Sequence, residues 1–378
     1  MLTMGNIISS WFKNQAFNKD DHGHADCSLF DDYVASDDTF MDLTGKVVAI
    51  TGTSAGSLGF HLAEIAIRKN AKILLLLNRA SLSAKQGEEG LREIATNINS
   101  TIHIQSVSCD MQDFAVVRAA GETIKEIAAK NVGLDVLINN AGIMATRDTR
   151  TTADGFDVQM QTNQLSHFLL TSILYDSLEL AATHRNEARL VTHSSSARTM
   201  PNGMLEEKYF VKCGPGTLGG DKTWAISELL FGKEGPWTRY HMTKLANAVF
   251  AMAMHQKLKT KGSKVKALSA DPGPASSNLQ VTSTKGDGLM SEWHAKLIMP
   301  SGHSAENGSL DAGMAAFGKE AMSGDFYAPK ASLKGPPIKI IVNGVAVKKG
   351  GEKLTCSLVN QDHVWEWSEE ALGIKFDI

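Results

Sequence analysis

A glycine-rich stretch in the first third of the chain has the residue types and spacing to bind a pyrophosphate. It reads Thr51-Gly52-Thr53-Ser54-Ala55-Gly56-Ser57-Leu58-Gly59 and opens a helical pattern directly after a β-branched run. Such a turn lets backbone N–H groups and the positive end of the helix approach phosphate oxygens, which a bulky Cβ would prevent. The predicted contacts are Gly52, Ser54, Gly56, Leu58 and Gly59. A plain strand-to-helix connection is the alternative interpretation.

The end of the next hydrophobic run bears on which dinucleotide would bind. A carboxylate at this position accepts hydrogen bonds from a ribose 2′-hydroxyl and would repel a 2′-phosphate. Here the run ends in Asn78-Arg79, and Ser81, Ser83 and Lys85 lie close by in sequence. The planar guanidinium of Arg79 can donate paired hydrogen bonds to a phosphate. The pattern predicts NADP(H), with an arginine on a surface loop as the alternative.

The remainder of the chain supplies the elements that would position these residues. From Leu43 onward, short β-branched or leucine runs alternate with helical periods, which is typical of a parallel sheet covered by helices on both faces. We predict strands at 46–51, 73–77, 102–108, 134–139, 189–193 and 265–270. Helices are predicted near 60–68, 83–97, 114–130, 154–180 and 238–258. The predicted fold class is therefore α/β, a doubly wound parallel sheet of the Rossmann type.

The domain organisation follows from a change in composition near residue 40. Residues 1–40 are rich in Asp, Asn, Ser and Lys and lack a sustained hydrophobic period, so we predict a poorly ordered arm outside the core. The sequence shows no internal repeat and no long linker. One catalytic domain over 41–378 is therefore predicted, with an insertion at about 199–237.

Composition argues against several other classes of protein. The 378 residues are 43% hydrophobic with a net charge of -3, which favours a globular core over a nucleic-acid-binding protein with a strongly basic face. The four cysteines form no CxxC pair, so we expect neither a disulfide framework nor a bound metal. No apolar run reaches the roughly 18 residues of a membrane span, and no secretory signal is evident. The predicted location is cytoplasmic.

The arm contains two motifs with other interpretations. Met4-Gly5-Asn6-Ile7-Ile8-Ser9 matches a myristoylation signal if translation starts at Met4, and Trp11 and Phe12 would suit a membrane interface. Peripheral membrane association through an acylated Gly5 is therefore a second expectation for the location. His22, His24 and Cys27 have ligand-type side chains without a fourth partner nearby, so a polar tail is favoured over a metal site.

Four motifs in order along the chain resemble those of short-chain dehydrogenases/reductases. They are the glycine-rich stretch 51–59, Asn139-Asn140-Ala141-Gly142, Ser195, and Tyr240 followed by Lys244. The resemblance covers about residues 43–378. Segments 304–308, 323–327 and 367–370 are similar to the retinol dehydrogenase-like and WW-domain oxidoreductase-like branch of the family.

The resemblance implies a catalytic set of Asn163, Ser195, Tyr240 and Lys244. Tyr240 and Lys244 are four residues apart on a predicted helix, so the ammonium can lie beside the phenol and favour its phenolate form. Ser195, at the end of a strand, can hydrogen-bond the reacting oxygen. In the family the lysine also holds the nicotinamide ribose, and the asparagine helps to carry a proton-relay water. We expect the same of Lys244 and Asn163.

Further cofactor contacts are implied by the same resemblance. The small residues after the fourth strand let the chain pass close to the cofactor. Asp110, with Met111 beside it, resembles the aspartate that contacts the adenine in the family. Pro272-Gly273 and Ser277 resemble the segment that meets the carboxamide. The contacts implied in this way are Asp110, Met111, Asn140, Ala141, Gly142, Tyr240, Lys244, Pro272, Gly273 and Ser277.

The sequence departs from the family pattern in three places. Gly56 and Gly59 are separated by two residues where the family usually has one, and Thr243 stands where the family has the serine of its YxxSK motif. The segment between the catalytic serine and tyrosine is much longer than in simple members and includes Trp224, Phe231 and Trp237. It is interpreted either as a surface insertion or as a wall of the substrate cleft.

The combined patterns predict an NADP(H)-dependent oxidoreductase that moves a hydride between nicotinamide and an alcohol, aldehyde or ketone, with Tyr240 as the general acid/base. The retinol dehydrogenase-like resemblance suggests a lipophilic substrate. A catalytically silent NADP(H)-binding regulator or scaffold of the same fold is the alternative. The resemblance also implies a homodimer or homotetramer formed through the helices near 154–180 and 238–258, while His193 and His241 are expected to be structural.

Overall fold

A computed structural model describes residues 28–146, 150–201, 203–218, 235–274, 304–330 and 334–378. Its strands are β1 (Val47–Thr51), β2 (Ile73–Asn78), β3 (His103–Ser108), β4 (Val136–Asn139), β5 (Ala188–His193), β6 (Val265–Ala270), β7 (Phe326–Pro329), β8 (Pro337–Val342) and β9 (Val345–Ala346). They form one sheet in the order β3-β2-β1-β4-β5-β6-β7-β8-β9. Strands β1 to β7 pair in parallel, and β8 and β9 pair antiparallel at one edge.

Helices cover both faces of this sheet. They are α1 (Ser28–Ala35), α2 (Leu58–Arg68), α3 (Leu82–Asn97), α4 (Phe114–Ala129), α5, α6 (Pro236–Lys261), α7 (Ala305–Phe317) and α8 (Leu358–Leu372). Helix α5 begins at Val158–Met160, passes through a π-helical turn at Gln161–Leu165 and continues as Ser166–Arg185.

The central strands are buried on both sides because their side chains alternate between two separate cores. In β1, Val47 and Ala49 belong to one hydrophobic cluster, and Val48 and Ile50 belong to the cluster on the opposite face. Successive side chains of a strand point to opposite faces, so an uninterrupted apolar run fits a strand that is covered twice. The doubly wound fold class predicted from the sequence is therefore confirmed.

All six predicted strands are present, but the sheet is mixed because of the antiparallel β8–β9 hairpin. Its two turn residues, Asn343 and Gly344, have φ values of 50° and 80°. Positive φ at both positions is what a tight two-residue hairpin turn requires, and Asn-Gly between alternating apolar residues is its usual sequence. The stretch IKIIV-NG-VAV therefore contained a signal for this hairpin.

The packed structure begins before residue 41, which corrects the predicted boundary of the N-terminal arm. Phe30 and Val34 on α1 and the following Phe40 are each 4% exposed or less. They belong to the cluster that contains α2 and α7, and the Phe30 N–H donates to Asn307 Oδ1 at 2.8 Å. A short amphipathic helix within a polar segment was sufficient to join the core. The motifs at 4–9 and 22–27 lie outside the described residues.

Helix α8 covers the face of α5 and α6 through which the sequence predicted self-association. Trp365 of α8 lies 5.2 Å from Phe168 and 6.0 Å from Phe250, between ring centroids, and stacks on Phe376 at 4.9 Å. These rings form part of the main hydrophobic cluster. The chain's own C-terminal helix thus covers this part of the face.

Part of the long segment before α6 is also packed into the fold. Leu205, Tyr209 and Phe210 are buried in the same cluster as α5 and α6, and the Leu205 N–H donates to Asn360 Oδ1 on α8 at 2.9 Å. Trp224 and Phe231 lie outside the described residues.

Candidate active site

The carboxyl ends of β1, β4 and β5 bring the predicted motifs to one edge of the sheet. These strands are neighbours in the order β1-β4-β5, and parallel neighbours end on the same side. The glycine-rich loop leaves β1, residues 140–142 leave β4, and Ser195 follows β5. Helix α6, which packs against β5 and β6, places Tyr240 and Lys244 beside them.

The glycine-rich loop needs glycine at two positions for reasons of space. A Cβ on Gly52, where φ is +75°, would lie 2.9 Å from Ala141 Cα, and one on Gly59 would lie 2.3 Å from the Gly52 carbonyl oxygen. Gly56 also has a positive φ, +66°, but a Cβ there would meet no atom within 4 Å. Gly59 therefore closes the loop on itself, whereas Gly56 leaves its outer side open to an approaching group.

Thr51 joins the first two motifs with a complete set of hydrogen bonds. Its hydroxyl accepts the N–H groups of Asn140 and Ala141, both at 2.9 Å, and lies 3.0 Å from His167 Nε2. His167 Nδ1 is 2.9 Å from the Asn163 carbonyl oxygen, which can only accept, so Nδ1 carries the proton. The neutral ring then accepts the threonine proton at Nε2. Burial lowers the pKa of His167 to about 4, in keeping with a neutral imidazole.

Asn78 and Arg79 have different surroundings at the end of β2. The Asn78 side chain accepts the Thr53 N–H at 2.8 Å and donates to the Thr53 hydroxyl at 2.7 Å, so it holds the glycine-rich loop in place. Arg79 is exposed and, within the described part of the chain, forms no hydrogen bond or ion pair. Of the predicted pair, only the arginine has its donors available for a ligand.

The remaining predicted cofactor contacts are only partly brought to this edge. Met111 is buried and its carbonyl accepts the Ser166 hydroxyl at 2.7 Å, while Asp110 Oδ1 accepts the Gln112 N–H at 3.0 Å. Pro272 and Gly273 directly follow β6, next to β5. Ser277 lies outside the described residues. Asp110 and Met111 thus both form hydrogen bonds within the protein at the end of β3.

Tyr240, Ser195 and Lys244 lie together in a largely buried group. Ser195 lies near enough to the Tyr240 hydroxyl to lower its pKa, and Tyr240 is only 4% exposed. Lys244 Nζ lies 5.9 Å from the centre of the Tyr240 ring and donates to the His193 carbonyl at 2.9 Å. A Cβ on Gly142 would lie 3.6 Å from Lys244 Nζ, so the absence of a side chain leaves the ammonium accessible from the β4 loop.

Burial controls the protonation of this pair more than their mutual attraction does. Burial raises the pKa of Tyr240, the neighbouring Ser195 side chain opposes this, and the charge of Asp271 raises it further. Burial lowers the pKa of Lys244 to about 8, against the charge of Asp271. The spacing of Tyr240 and Lys244 predicted that the ammonium would favour phenolate. The structure instead keeps Tyr240 as a phenol at neutral pH, which is the form that can donate a proton.

Asn163 lies in the π-helical turn of α5 and connects two loops of the site. Its side chain accepts the Ile143 N–H at 2.8 Å and donates to the Ile143 carbonyl and the Thr243 hydroxyl, both at 2.9 Å. Its own carbonyl accepts from His167 Nδ1 and from Asn247 Nδ2, the latter at 2.7 Å. These two donors engage that carbonyl, and the side-chain contacts fix the position of Asn163 in the turn.

A buried ionic cluster behind Ser195 was missed by the sequence analysis. Arg198 donates to the Ser195 carbonyl at 2.9 Å, to Asp271 at 2.6 Å, and through two nitrogens to Glu352 at 2.7 and 3.0 Å. Its guanidinium also lies 4.4 Å from the centre of the Phe326 ring. Burial alone would lower the pKa of Arg198, but the two carboxylates raise it. The cluster joins the segments that follow β5, β6 and β9.

The side of the site next to Tyr240 is apolar. Met144, Ala145 and Tyr240 form a small cluster against which Trp237 and Ala197 pack, and the Trp237 ring meets Tyr240 edge-on at 6.2 Å. Trp237, at the end of the predicted insertion, thus borders the tyrosine. Among the described residues no group of His, Cys, Asp and Glu is arranged to hold a metal ion. No helix in those same ranges is both long and apolar enough to cross a bilayer.

The buried histidines of the site lead to a prediction about acid stability. Burial lowers the pKa of His167 and His241 to about 4 and, together with the charge of Lys244, that of His193 to about 3. Histidine in an unfolded chain titrates near ~6.5, so between that pH and about 4 the unfolded state binds protons that the folded state excludes. The free energy of unfolding should therefore fall as the pH is lowered below ~6.5, by about 1.4 kcal/mol per pH unit for each histidine.

Urea unfolding over a series of pH values would measure this slope. His241 packs beside Trp237 and Tyr240 without taking part in the Thr51 network, so His241→Phe should reduce the slope by one histidine's share. Identical slopes for the variant and the unchanged protein would contradict the assignment of a neutral His241.

Residues 46–206 match a family model described as short chain dehydrogenase. The short chain dehydrogenase/reductase dpchH of Colletotrichum higginsianum is 31% identical over 238 residues, which are 61% of this chain and 55% of that protein. The chain thus spans about half the length of this relative.

Two further relatives are matched more evenly. A short-chain dehydrogenase/reductase of Armillaria gallica is 30% identical over 243 residues, 64% of this chain and 69% of the relative. Human retinol dehydrogenase 11 is 31% identical over 240 residues, 63% of this chain and 64% of that protein.

Solved structures share the fold at lower identity. An uncharacterized protein from Mycobacterium paratuberculosis superposes with a TM-score of 0.62 at 24% identity, over 91% of this chain and 98% of that one. L-sorbose reductase from Gluconobacter frateurii has a TM-score of 0.50 at 17% identity, over 73% and 92% of the two chains.

Proposed function

Because the chain belongs to the short-chain dehydrogenase/reductase family, we propose that it is an NADP(H)-dependent oxidoreductase acting on lipophilic alcohols, aldehydes or ketones. The observation that carries this proposal is the group of Tyr240, Ser195 and Lys244, in which burial keeps the tyrosine protonated and Lys244 Nζ lies 5.9 Å from the centre of its ring. A regulator that only bound nucleotide would have no need of a buried phenol aligned with a serine.

The edge of the sheet fits a dinucleotide. The loop around Gly52 and Gly59 is so tight that a Cβ would collide with backbone, its outer side at Gly56 is open, and the first turn of α2 begins directly after it. These residues would hold the pyrophosphate, and Lys244 beside Gly142 would hold the nicotinamide ribose. A nicotinamide bound there supplies or accepts the hydride.

Side chains of this protein would donate the proton that the substrate carbonyl oxygen needs when it is reduced. Ser195 and Tyr240 can both hydrogen-bond a substrate carbonyl oxygen, and Tyr240 donates its proton as negative charge develops on that oxygen. Lys244, with a pKa near 8, is still largely an ammonium at neutral pH and stabilises the phenolate that remains. Asn163 fixes the loop after β4 against α6, so that these groups keep their spacing.

The proposed substrate class has two supports. Met144, Ala197 and Trp237 give the side next to Tyr240 an apolar surface that suits a lipophilic substrate. A relative of similar length is named for retinol, a lipophilic alcohol. A panel of aldehydes and ketones of increasing chain length, followed by NADPH oxidation, tests the proposal. Turnover should rise with chain length, and its absence on every member would favour a silent nucleotide-binding protein.

The choice of NADP(H) depends on Arg79. Its guanidinium is exposed at the end of β2 and has no partner within the described ranges, so it can donate charge-assisted hydrogen bonds to a 2′-phosphate. Arg79→Ala should weaken NADPH binding by about 1.5–3 kcal/mol and leave NADH binding almost unchanged. Fluorescence titration of both cofactors would measure this, with Arg92→Ala, an exposed arginine on the same α/β unit, as control. Equal losses for NADPH and NADH would reject the role of Arg79.

A further inference from the structure

The β8–β9 hairpin presents a continuous apolar face to solvent. Alternate residues of a strand share a face, and cross-strand neighbours lie side by side on it. Val342 pairs with Val345, and the Val347 N–H donates to the Ile340 carbonyl at 2.9 Å. Ile338, Val342, Val345 and Val347 therefore lie on one exposed surface, which we call the hairpin face, whereas Ile340 on the same strand is half-buried and packs against the core cluster that contains Ile341. Ile341, on the other side, is fully buried in the core.

The exposure of the hairpin face is unusual for this chain. Val345 is 70% exposed, Val347 63%, Val342 43% and Ile338 38%. The other large apolar residues exposed in the described ranges are spread over several helices and loops, including Leu82 and Ile98. Singly exposed apolar residues are ordinary, but a contiguous patch with a polar rim marks an interaction surface.

The rim of the hairpin face is positively charged. Lys348, Lys349 and Lys353 follow Val347 in one tight turn, where the Gly351 N–H donates to the Lys348 carbonyl at 2.8 Å. All three side chains are exposed, and none forms an ion pair with another described residue. The one acidic residue of the turn, Glu352, points inward and is neutralised by Arg198. The turn is thus locally basic on a chain whose net charge is -3.

An apolar face with a lysine rim favours some binding partners over others. A second copy of the chain would bring the same lysines against one another, and lysines at a sheet edge oppose edge-to-edge pairing. A bilayer with anionic headgroups satisfies both features, because short apolar side chains enter the interface while the lysines meet lipid phosphates and carboxylates. We propose that the hairpin face and its lysine rim dock this protein on an anionic lipid surface.

Docking there would place the active site close to the lipid. Arg198 contacts both Glu352, within the lysine turn, and the carbonyl of the catalytic Ser195. The lysine turn and the active site are therefore connected through the buried side chain of Arg198. That a lipophilic substrate reaches the site from the bilayer rests on the proposed function, whereas the docking itself does not.

Co-sedimentation of the full chain with vesicles tests the proposal. Binding is expected with phosphatidylcholine vesicles that contain phosphatidylserine, should be much weaker with phosphatidylcholine alone, and should decrease with added salt. Lys348→Gln/Lys349→Gln should weaken binding roughly 25-fold, from about fivefold for each lysine. Val345→Ser/Val347→Ser should weaken it on the order of tenfold.

Matched controls remove the same groups elsewhere. Lys130→Gln/Lys259→Gln takes away two exposed lysines, and Leu82→Ser/Ile98→Ser takes away two exposed apolar side chains. Both controls should bind vesicles like the unchanged chain, and equal losses in controls and hairpin variants would overturn the proposal. A dimer without vesicles that Val345→Ser/Val347→Ser dissociates would also overturn it in favour of self-association. Turnover of a water-soluble aldehyde should be the same in all variants, so a failure of the proposed activity is detected separately.

Discussion

Tyr240→Phe should lower turnover roughly 100- to 10,000-fold while the dissociation constant of the cofactor stays nearly unchanged. The substitution removes the hydroxyl beside Ser195 and leaves the ring in its contacts with Trp237 and Met144. The loss is specific to proton donation because the packing of the ring is preserved. Steady-state kinetics on a substrate identified with the panel, together with cofactor titration, would measure both quantities.

Lys244→Met provides the contrast for this experiment. The ammonium is assigned both to the phenolate and to the nicotinamide ribose, so this variant should lose turnover and cofactor affinity together. Near-normal turnover of Tyr240→Phe would show that another group supplies the proton. The proposed mechanism would then fail even if the chain proved to be an oxidoreductase.

Arg198→Met should lower the free energy of unfolding by about 3–5 kcal/mol. Arg198 is buried with two carboxylates, and its removal leaves Asp271 and Glu352 without their common partner. A buried carboxylate without a counter-charge costs far more than an exposed ion pair contributes. Arg68→Met, which breaks a more exposed pair with Glu64, should cost less than about 1 kcal/mol. Urea unfolding at pH 7 compares the two variants.

The same substitution should alter the pH dependence of activity. Asp271 already raises the pKa of Tyr240 and Lys244, and without Arg198 its negative charge acts on both groups with less compensation. The pH at which Lys244 loses its proton, about 8 in the unchanged protein, should therefore move upward. Adding Asp271→Asn to Arg198→Met should restore part of the stability and reverse the shift. If the pH profile does not move, Arg198 has only a structural role.

The sequence predicted those elements whose signals are local. An uninterrupted apolar run such as 47–51 indicates a doubly covered strand wherever it occurs, and the order of the motifs indicated which strand ends would meet. The hairpin after β7 was not among the predicted strands, although its Asn343-Gly344 turn is a local signal. Helix α1 was hidden because only two or three apolar residues in a polar segment form its contact with the core.

Other features of the site depend on contacts between residues far apart in the chain, which a single sequence does not reveal. Arg198 and Glu352 are 154 positions apart, and nothing in either neighbourhood indicates that they pair. The protonation of Tyr240 does not follow from the sequence for a related reason. Spacing shows that a lysine is near, but the opposing effect of burial appears only when the packing around both side chains is known.

Helix α8 must be displaced before any other molecule can bind the part of the α5–α6 face that it covers. Trp365 is joined to that face covalently through the chain, so it competes as an intramolecular ligand at the millimolar effective concentrations that short tethers produce. A free partner at micromolar concentration would need roughly a thousandfold tighter intrinsic affinity to displace it. Helix α8 therefore competes with any partner for this face. Its detachment would turn a buried contact into an exposed apolar surface that could bind another molecule.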